Sequence, residues 1–274
     1  MTGGYGGTVP YVPVHLPTDS PGVSLRFHRR GDDVEVEVDG APGEPTDELV
    51  EAATDALVKL IDAQPEGVHV HLAADHPASS LDPLPERIAD SAGLRSRRDL
   101  YEMRRPLPVE FDHPARSSAP AISVRAFAPG RDDEAWIEVN NLAFADHPDQ
   151  GRENPETLAD RTSEPWFDPE GFLLLDEPAG DGETGGGLAG FCWTKVHHPT
   201  NADPELGEIY VIGVHPRHHG QGLGVALVLA GLDHLAGKGI PVSNLYVDAD
   251  NAAALKLYDR LGFEVHQRRR VYGS

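Results

Sequence analysis

Residues Glu208 to Gly224, which read EIYVIGVHPRHHGQGLG, decide the fold of this chain. The apolar run predicts a buried strand, Pro216 predicts a turn, and three glycines open a helix. Glycines let the backbone turn tightly and expose its N–H groups, and the positive end of the following helix points to the same place. The segment therefore predicts either a cradle for the phosphates of a nucleotide-like cofactor or a plain strand-to-helix turn. Glu208 begins the strand, where a carboxylate could act as a base.

Bulk composition excludes several classes of protein. The 274 residues carry 45 acidic and 23 basic side chains, a formal net charge of -22. Such a field repels nucleic acids and anionic membranes, so we expect neither as a partner. No apolar run is long enough for a membrane helix, and residues 1 to 14 lack the features of a signal peptide. The single cysteine, Cys192, fits a reducing compartment, so we expect a cytoplasmic protein.

Patterning divides the chain into two halves. Residues 1–106 and 122–274 each alternate strand-like and helix-like segments, and the Pro-, Ser- and Ala-rich residues 107–121 are expected to link them. This alternation predicts an α/β or α+β fold with mixed sheets flanked by helices. Residues 90–95 and 259–264 end a helix in the same way (DSAGLR and DRLGFE), which indicates an internal duplication.

The closing segment gives the glycine loop a more specific meaning. Asn251 suits a helix N-cap, and Tyr258 lies two turns further along the same helix face, before Leu261-Gly262-Phe263. Tyr258 taken alone could be a packed core aromatic. Together with the glycine loop upstream, this pattern resembles the GNAT acetyltransferase family, which uses acetyl-CoA as the acetyl donor.

Further motifs resemble one branch of that family, the mycothiol synthases. They are Asn140-Asn141, His147-Pro148-Asp149-Gln150-Gly151, Trp166-Phe167-Asp168-Pro169, Trp193-Thr194-Lys195-Val196-His197 and Gly207-Glu208. The resemblance covers residues 122–272 and implies two tandem GNAT-like domains, of which only the C-terminal one performs chemistry. It also implies acetyl transfer to the cysteinyl amine of cysteinyl-glucosaminyl-inositol (desacetylmycothiol), the last step of mycothiol biosynthesis.

The resemblance assigns roles to matching positions. Glu208 is implied to be the general base, directly or through water, Tyr258 the acid that protonates the CoA thiolate, and the Val214 N–H the donor to the thioester carbonyl. The implied substrate-binding residues are Asp149, Lys195, Glu208 and Tyr246. The implied acetyl-CoA-binding residues are Ile212, Gly213, Val214, His219, Gly220, Gln221, Gly222, Leu223, Gly224, Val225, Asn251, Ala252, Ala253, Ala254, Leu255 and Lys256.

Several of these residues also have purely structural explanations. Lys195 could be a surface lysine at a strand end, Asp149 could cap a loop, and Tyr246 could belong to the core. Cys192, in an apolar strand, reads as an inert buried thiol. The paired histidines at 197–198, 218–219 and 69/71 do not complete a tetrahedral ligand set, so we expect no metal.

Two departures from the family pattern shape the remaining expectations. His219 stands where a cation beside the first loop glycine is usual. In the N-terminal half the place of a second glycine loop is rich in acids (VDGAPGEPTDE, residues 38–48), which would repel a pyrophosphate. We expect a truncated, degenerate N-terminal half, one acetyl-CoA per chain and a monomer. Rival hypotheses are an acetyltransferase for another amine, such as a protein N-terminus or a small molecule, and a non-catalytic acetyl-CoA-binding protein.

Overall fold

The computed structural model describes residues 14–15, 23–30, 33–40, 46–63, 69–77, 83–145, 151–177, 187–200 and 203–273. The first part of the chain forms β1 (Val14–His15), β2 (Val23–Arg30), β3 (Asp33–Gly40), α1 (Asp47–Asp62), β4 (His69–Pro77), α2 (Pro83–Ser91) and β5 (Arg95–Pro106). Thr46 caps α1, since its side chain accepts a hydrogen bond from the backbone N–H of Leu49.

The second part of the chain continues the alternation. Its elements are α3 (Pro114–Ser118), β6 (Arg125–Ala126), α4 (Asp133–Ala143), α5 (Pro155–Thr162), β7 (Phe172–Asp176), β8 (Leu188–His197), β9 (Leu206–Val214), α6 (Leu223–Gly237), β10 (Val242–Asp248), α7 (Ala252–Arg260) and β11 (Glu264–Gly273). Short 3₁₀ turns at Pro169–Gly171 and Pro216–His218 precede β7 and α6. None of the described helices has both the length and the apolar character needed to cross a membrane.

The chain separates into two units. The C-terminal unit contains Met103–Val247 and Asn251–Glu264, and the N-terminal unit contains Gly7–Glu102, Asp248–Asp250 and Val265–Ser274. The last strand of the sequence, β11, thus contributes most of its residues to the N-terminal unit.

In the N-terminal unit the strand order is β1-β2-β3-β4-β11-β5. β3 and β4 are parallel, whereas β2 and β11 run antiparallel to their neighbours β3 and β4. Both α1 and α2 bury an apolar face in one cluster, which includes Val36, Leu57, Leu72, Ile88 and Tyr272. The amphipathic spacing of α1 explains why it packs there.

In the C-terminal unit the order is β10-β9-β8-β7-β6. β9 and β10 are parallel, and the other neighbours are antiparallel. The mixed α/β sheet predicted from the sequence is confirmed. Aromatic rings fill one face: Trp193 stacks on Phe172 at 4.2 Å, and Trp136 meets both edge-on at 5.5 and 5.8 Å. Such packing fixes the middle strands, on which the site is built.

The segment expected as a linker carries the short helix α3, capped by His113. The Arg116 guanidinium donates to both carboxylate oxygens of Asp233 on α6 at 2.9 and 2.5 Å. Ala115 is buried. Residues 109–118 are therefore held against α6 within the C-terminal unit.

Candidate active site

β9 and β10 separate part-way along their length. Their pairing covers three residue pairs and ends where Asn244 lies beside Glu208. β9 continues to Val214 and β10 to Asp248. Within the described chain the two parallel strands therefore diverge at their carboxyl ends, the usual position of ligand sites in such sheets. Backbone groups along a diverging strand are available to an extended ligand that carries amides.

Strand alternation determines which backbone groups face this split. The His215 N–H donates to the Ala189 carbonyl at 2.9 Å, towards β8. Because successive residues of a strand direct their backbone groups to opposite edges, the Val214 N–H faces the β10 side. The Val214 carbonyl accepts a hydrogen bond from His219 Nε2 at 3.0 Å. The N–H that the resemblance assigns to the thioester carbonyl therefore lies on the appropriate edge.

The loop after β9 is shaped for close approach to a ligand. Gly220 and Gly222 have φ of 78° and 77°, a region that residues with a Cβ rarely occupy. Gly222 caps α6 without a side-chain hydrogen bond to the first turn. The N–H groups at the start of this 15-residue helix are thus not satisfied by a capping side chain, as an anion-binding helix start requires.

Cations flank the loop but are engaged by Glu177. Arg217 Nε lies 2.6 Å and His218 Nε2 2.7 Å from the same carboxylate oxygen, Glu177 Oε1. Arg217 remains half-exposed. Its guanidinium is the strong cation closest in sequence to the glycines, so it is the side chain best able to compensate for histidine at position 219.

A row of polar side chains crosses the sheet at the base of the split. Lys195 on β8 lies directly beside Glu208 on β9, and Glu208 lies beside Asn244 on β10. Cross-strand neighbours share a face of the sheet. All three side chains are buried, at 6%, 1% and 2% exposure. Three strands thus bring a carboxylate, a cation and an amide together.

Lys195 is enclosed by aromatic rings. Its Nζ lies 4.4 Å from the Trp166 ring centre and 5.4 Å from that of Tyr210. Burial lowers the pKa of Lys195, an effect that the charges of Glu208 and Glu164 oppose. The surface-lysine explanation is therefore wrong. A buried ammonium over two π-faces is a rigid positive charge at one side of Glu208.

A bulge in β9 widens this face. Trp193 pairs with Val211 and Thr194 with Ile209, so Tyr210 is an extra residue without a partner on β8. Tyr210 and Val211, although consecutive, consequently both pack in the aromatic core. Arg161 on α5 lies 5.9 Å from the Tyr210 ring and donates to Glu153 at 2.5 Å.

Tyr258 is the seventh residue of α7, and it is buried. Burial, together with the nearby Cys192 thiol, raises the pKa of Tyr258 above its ordinary value, so the phenol keeps its proton. The Cys192 sulfur faces Gly231 of α6. Tyr258 thus approaches β8 from the α6 side, whereas Glu208 faces the side of Trp166. Burial also raises the pKa of Cys192 to about 12, which fits an inert thiol.

Known proteins similar to this chain are acetyltransferases. The model of the acetyltransferase (GNAT) family matches residues 136–263. A mycothiol acetyltransferase from Acidimicrobium ferrooxidans is 46% identical over 247 residues, which cover 88% of this chain and 73% of the relative. The chain belongs to the mycothiol acetyltransferase family. Relatives of the same name from Streptomyces coelicolor and Thermobispora bispora are 49% and 45% identical; the match covers 68% and 76% of this chain and 56% and 65% of theirs.

Solved structures show the same GNAT fold. A GCN5-related N-acetyltransferase from Sphaerobacter thermophilus superposes with a TM-score of 0.65 at 23% identity, over 92% of this chain and 76% of that one. A tandem GNAT protein from the clavulanic acid biosynthesis pathway gives 0.58 at 19% identity, over 92% and 78%. The sequence relatives therefore show the family of this chain, and the solved structures show its fold.

In this mycothiol acetyltransferase family member, the structure brings some of the predicted residues together. Glu208 and Lys195 are neighbours, and Tyr246 is two residues beyond Asn244 on β10 and so on the same face. Asn251 caps α7 by accepting from the Ala254 N–H at 3.0 Å, as expected. Residues 252–256 form the first turns of α7. Asp149 and the other residues of the His-Pro-x-Gln-Gly motif up to Gln150 lie outside the described residues, and only Gly151 of the motif is described.

Sequence reasoning gave no role to two residues close to Glu208. Asn244 was not singled out, and His197 was considered only within the Trp-Thr-Lys-Val-His motif and as half of an incomplete metal pair. His197 hydrogen-bonds Glu208, with 2.7 Å between Nε2 and Oε2. Its spacing of two residues from Lys195 on one strand was the available signal. Across the described residues, no group of three or more His, Cys, Asp or Glu is arranged to hold a metal ion.

Proposed function

We propose that this chain transfers the acetyl group of acetyl-CoA to the cysteinyl amine of cysteinyl-glucosaminyl-inositol. The observation that carries the proposal is a buried carboxylate, Glu208, at the point where β9 and β10 begin to diverge. Relatives named mycothiol acetyltransferase, at 45% to 49% identity, support the choice of substrate.

The residues of the split suit acetyl-CoA. The pantetheine arm carries amides that can bond to the unpaired edge of β9, between Ile212 and Val214. Its pyrophosphate suits the uncapped start of α6, where Gly220 and Gly222 bring the backbone close. Residues 219–225 would hold the phosphates, and Asn251 to Lys256 would lie beside the rest of the molecule. When bound, acetyl-CoA supplies an activated acetyl thioester.

Glu208 acts first in the proposed mechanism. The substrate amine is protonated near neutral pH, and only the free amine has the lone pair needed for attack. Glu208 takes that proton, directly or through one water. The amine nitrogen then bonds to the acetyl carbon, and the Val214 N–H stabilises the negative charge that develops on the carbonyl oxygen.

Tyr258 completes the transfer. The bond between the acetyl carbon and sulfur breaks, and its electron pair leaves with the thiolate, which takes the phenolic proton of Tyr258. The new amide nitrogen gives up its second proton, which restores the phenol. A phenol carries its proton at neutral pH, and burial, which raises the pKa of Tyr258, keeps that proton in place. We propose that Lys195, Tyr246 and Asp149 bind the sugar and inositol hydroxyls, for which buried polar groups give strong selectivity.

An acetyl-CoA turnover assay tests the proposal. Release of CoA thiol is measured with cysteinyl-glucosaminyl-inositol and with a panel of other amines that includes peptide N-termini and aminoglycosides. We expect the highest kcat/KM for the cysteinyl substrate. Turnover of another amine without turnover of this one would leave an acetyltransferase with a different substrate. Binding of acetyl-CoA without any turnover would support a non-catalytic role.

A further inference from the structure

His197 connects the buried carboxylate of Glu208 to solvent. The two residues lie near the ends of adjacent strands, and His197 is two residues beyond Lys195 on the same face of β8. The distance between Nε2 and Oε2 is 2.7 Å. The Glu208 side chain is 2% exposed and that of His197 is 37% exposed. The imidazole therefore spans the boundary between the interior and water.

Within the described chain, His197 is the one side chain that hydrogen-bonds Glu208. Lys195, although it lies beside Glu208 in the sheet, directs its Nζ over Trp166 and Tyr210. Arg161, the next cation on this face, is engaged by Glu153. A buried carboxylate needs a donor, and the geometry gives that task to His197.

The hydrogen bond to Glu208 requires a proton on Nε2 of the imidazole. An ionised carboxylate can only accept hydrogen bonds, so Nε2 carries the proton and donates it to Oε2. This bond occupies Oε2 and holds the carboxylate in one orientation, so the proposed proton acceptor is the other oxygen, Oε1. In the proposed reaction, an N–H bond of the ammonium breaks, its electron pair stays on nitrogen, and the proton forms an O–H bond at Oε1.

We propose that His197 is the positioning residue of Glu208, acting through a single Nε2–H donor. The inference rests on the proposed function, because it assumes that Glu208 is the base. His197 keeps its own proton throughout the reaction. The geometry therefore requires of position 197 only a hydrogen-bond donor that reaches as far as Nε2 of histidine.

Two variants that carry the same amide group on side chains of different length test this requirement. In His197→Gln the side-chain N–H reaches about as far as Nε2, whereas in His197→Asn it stops one carbon short. Loss of a hydrogen bond to a charged group should lower kcat of His197→Asn by about tenfold to a hundredfold. We expect His197→Gln to stay within about threefold of wild type, and KM for acetyl-CoA to stay unchanged in both. His198→Asn, at the exposed neighbouring position, is the matched control.

The outcomes separate this inference from the proposed function. Equal kcat values for His197→Gln and His197→Asn, in proteins of matching circular dichroism, would overturn the role of His197. If wild type acetylates another amine only, the substrate assignment fails, and the same pair of variants measured with that amine still decides the inference. Nitrogen NMR gives a readout free of turnover: His197 should show the Nε2–H tautomer, and Glu208→Gln should perturb it. A dominant Nδ1–H tautomer would contradict the assignment.

Discussion

An ionised carboxylate loses much of its hydration on burial, and Glu208 is almost entirely buried. Three features compensate: a hydrogen bond from His197, the buried charge of Lys195 beside it, and the Asn244 position on the other flank. Such an arrangement stabilises the fold only modestly, but it fixes a proton acceptor in one place. At the scale of single residues, the site is therefore organised around the Glu208 carboxylate.

Glu208→Gln removes the proton acceptor while it keeps the shape of the side chain. We expect kcat to fall by at least about a hundredfold, because general base catalysis contributes that much or more. The pH profile of kcat should also change shape. Both are measured by thiol release from pH 5.5 to 9. The control is Glu264→Gln, an exposed position that should behave as wild type. An unchanged pH profile would remove Glu208 as the base.

Tyr258→Phe removes the proposed proton donor. We expect kcat to fall about tenfold to a thousandfold, since the thiolate must then take its proton from water. Acetyl-CoA affinity, measured by calorimetry, should remain within about threefold, because the ring still packs on Phe263 at 5.7 Å. A large loss of affinity with normal kcat would make Tyr258 a binding residue instead.

Among the elements, the bulge in β9 matters most to the site. The extra residue, Tyr210, turns two consecutive side chains to the aromatic face and shifts the register with β8 close to Glu208. On the other edge of β9, the parallel pairing with β10 ends at Glu208. Irregularity on both edges of one strand thus coincides with the candidate base.

The elements themselves were largely predictable from the sequence, whereas the irregularities were not. Apolar spacing and turn residues predicted an alternation of strands and helices in both halves, and the structure has that alternation. A bulge depends on the register between two strands, which the pattern of one strand does not contain. Tyr210 and Val211 are both apolar enough for either register.

Pairings between distant residues were equally hidden. The bond between His197 and Glu208 joins two strands, and no local rule relates the two positions. The roles of Glu208, Tyr258 and the cofactor residues came from resemblance to a family and remain proposals. What the sequence did predict from chemistry alone was a glycine-lined helix start after a strand and a cap at Asn251, because both depend on local backbone geometry.

The turn after α7 positions Tyr258. The Tyr258 carbonyl accepts from the Phe263 N–H at 3.0 Å, and Gly262 between them has φ of 77°. A Cβ at Gly262 meets nothing closer than 3.7 Å, so Gly262→Ala adds backbone strain without a clash. We expect the free energy of unfolding to fall by about 1 to 2 kcal/mol. Urea denaturation measures it.

Gly237→Ala is the control for this change, because that glycine is helical with open space at its Cβ. Alanine there should be neutral or stabilising by up to about 1 kcal/mol. Equal effects of the two substitutions would show that left-handed geometry at Gly262 is unimportant.

Asp132 is the N-cap residue of α4, and its carboxylate bonds to residues that precede the helix and not to the first helical turn. Burial alone would raise the pKa of this carboxyl, but hydrogen bonds from Arg125 and Arg131 and from the Ala128 N–H lower it well below its usual range. The unfolded chain then takes up a proton first, so the contribution to stability is present above the ordinary pKa of 3.8 and is lost as pH falls.

Asp132→Asn should therefore lower the free energy of unfolding by about 3 kcal/mol at neutral pH. The difference from wild type should shrink below about pH 4. Urea denaturation at pH 7 and pH 2 measures this, with the exposed Glu134→Gln as the control. A loss of the same size at both pH values would contradict the ionic explanation.

At the scale of the whole molecule, we propose that one chain binds a single acetyl-CoA. The first turn of α1 carries Asp47 and Glu48, and Thr46 already caps it. Asp47 also pairs with Arg87. An anion would meet like charge and satisfied donors at this helix start, in contrast to α6. These contacts support the proposal that the N-terminal unit binds no acetyl-CoA.

Calorimetric titration of acetyl-CoA into the full chain should give one site per chain. Mutation of Gly222 to a bulkier residue should abolish that site, because Gly222 has φ of 77° and a Cβ there would approach Pro120 at 3.1 Å. A stoichiometry of two, or one that persists in the Gly222 variant, would contradict the proposal.

The diverging ends of β9 and β10 also affect how readily the protein aggregates. Strand edges that lack a neighbouring strand are templates on which strands of other molecules can add, the first step of aggregation. A ligand that carries amides and binds between β9 and β10 would cover those edges. Heating in the presence of such a ligand should therefore yield less precipitate. The same split between β9 and β10 that admits acetyl-CoA therefore makes the ligand-free chain more prone to aggregate.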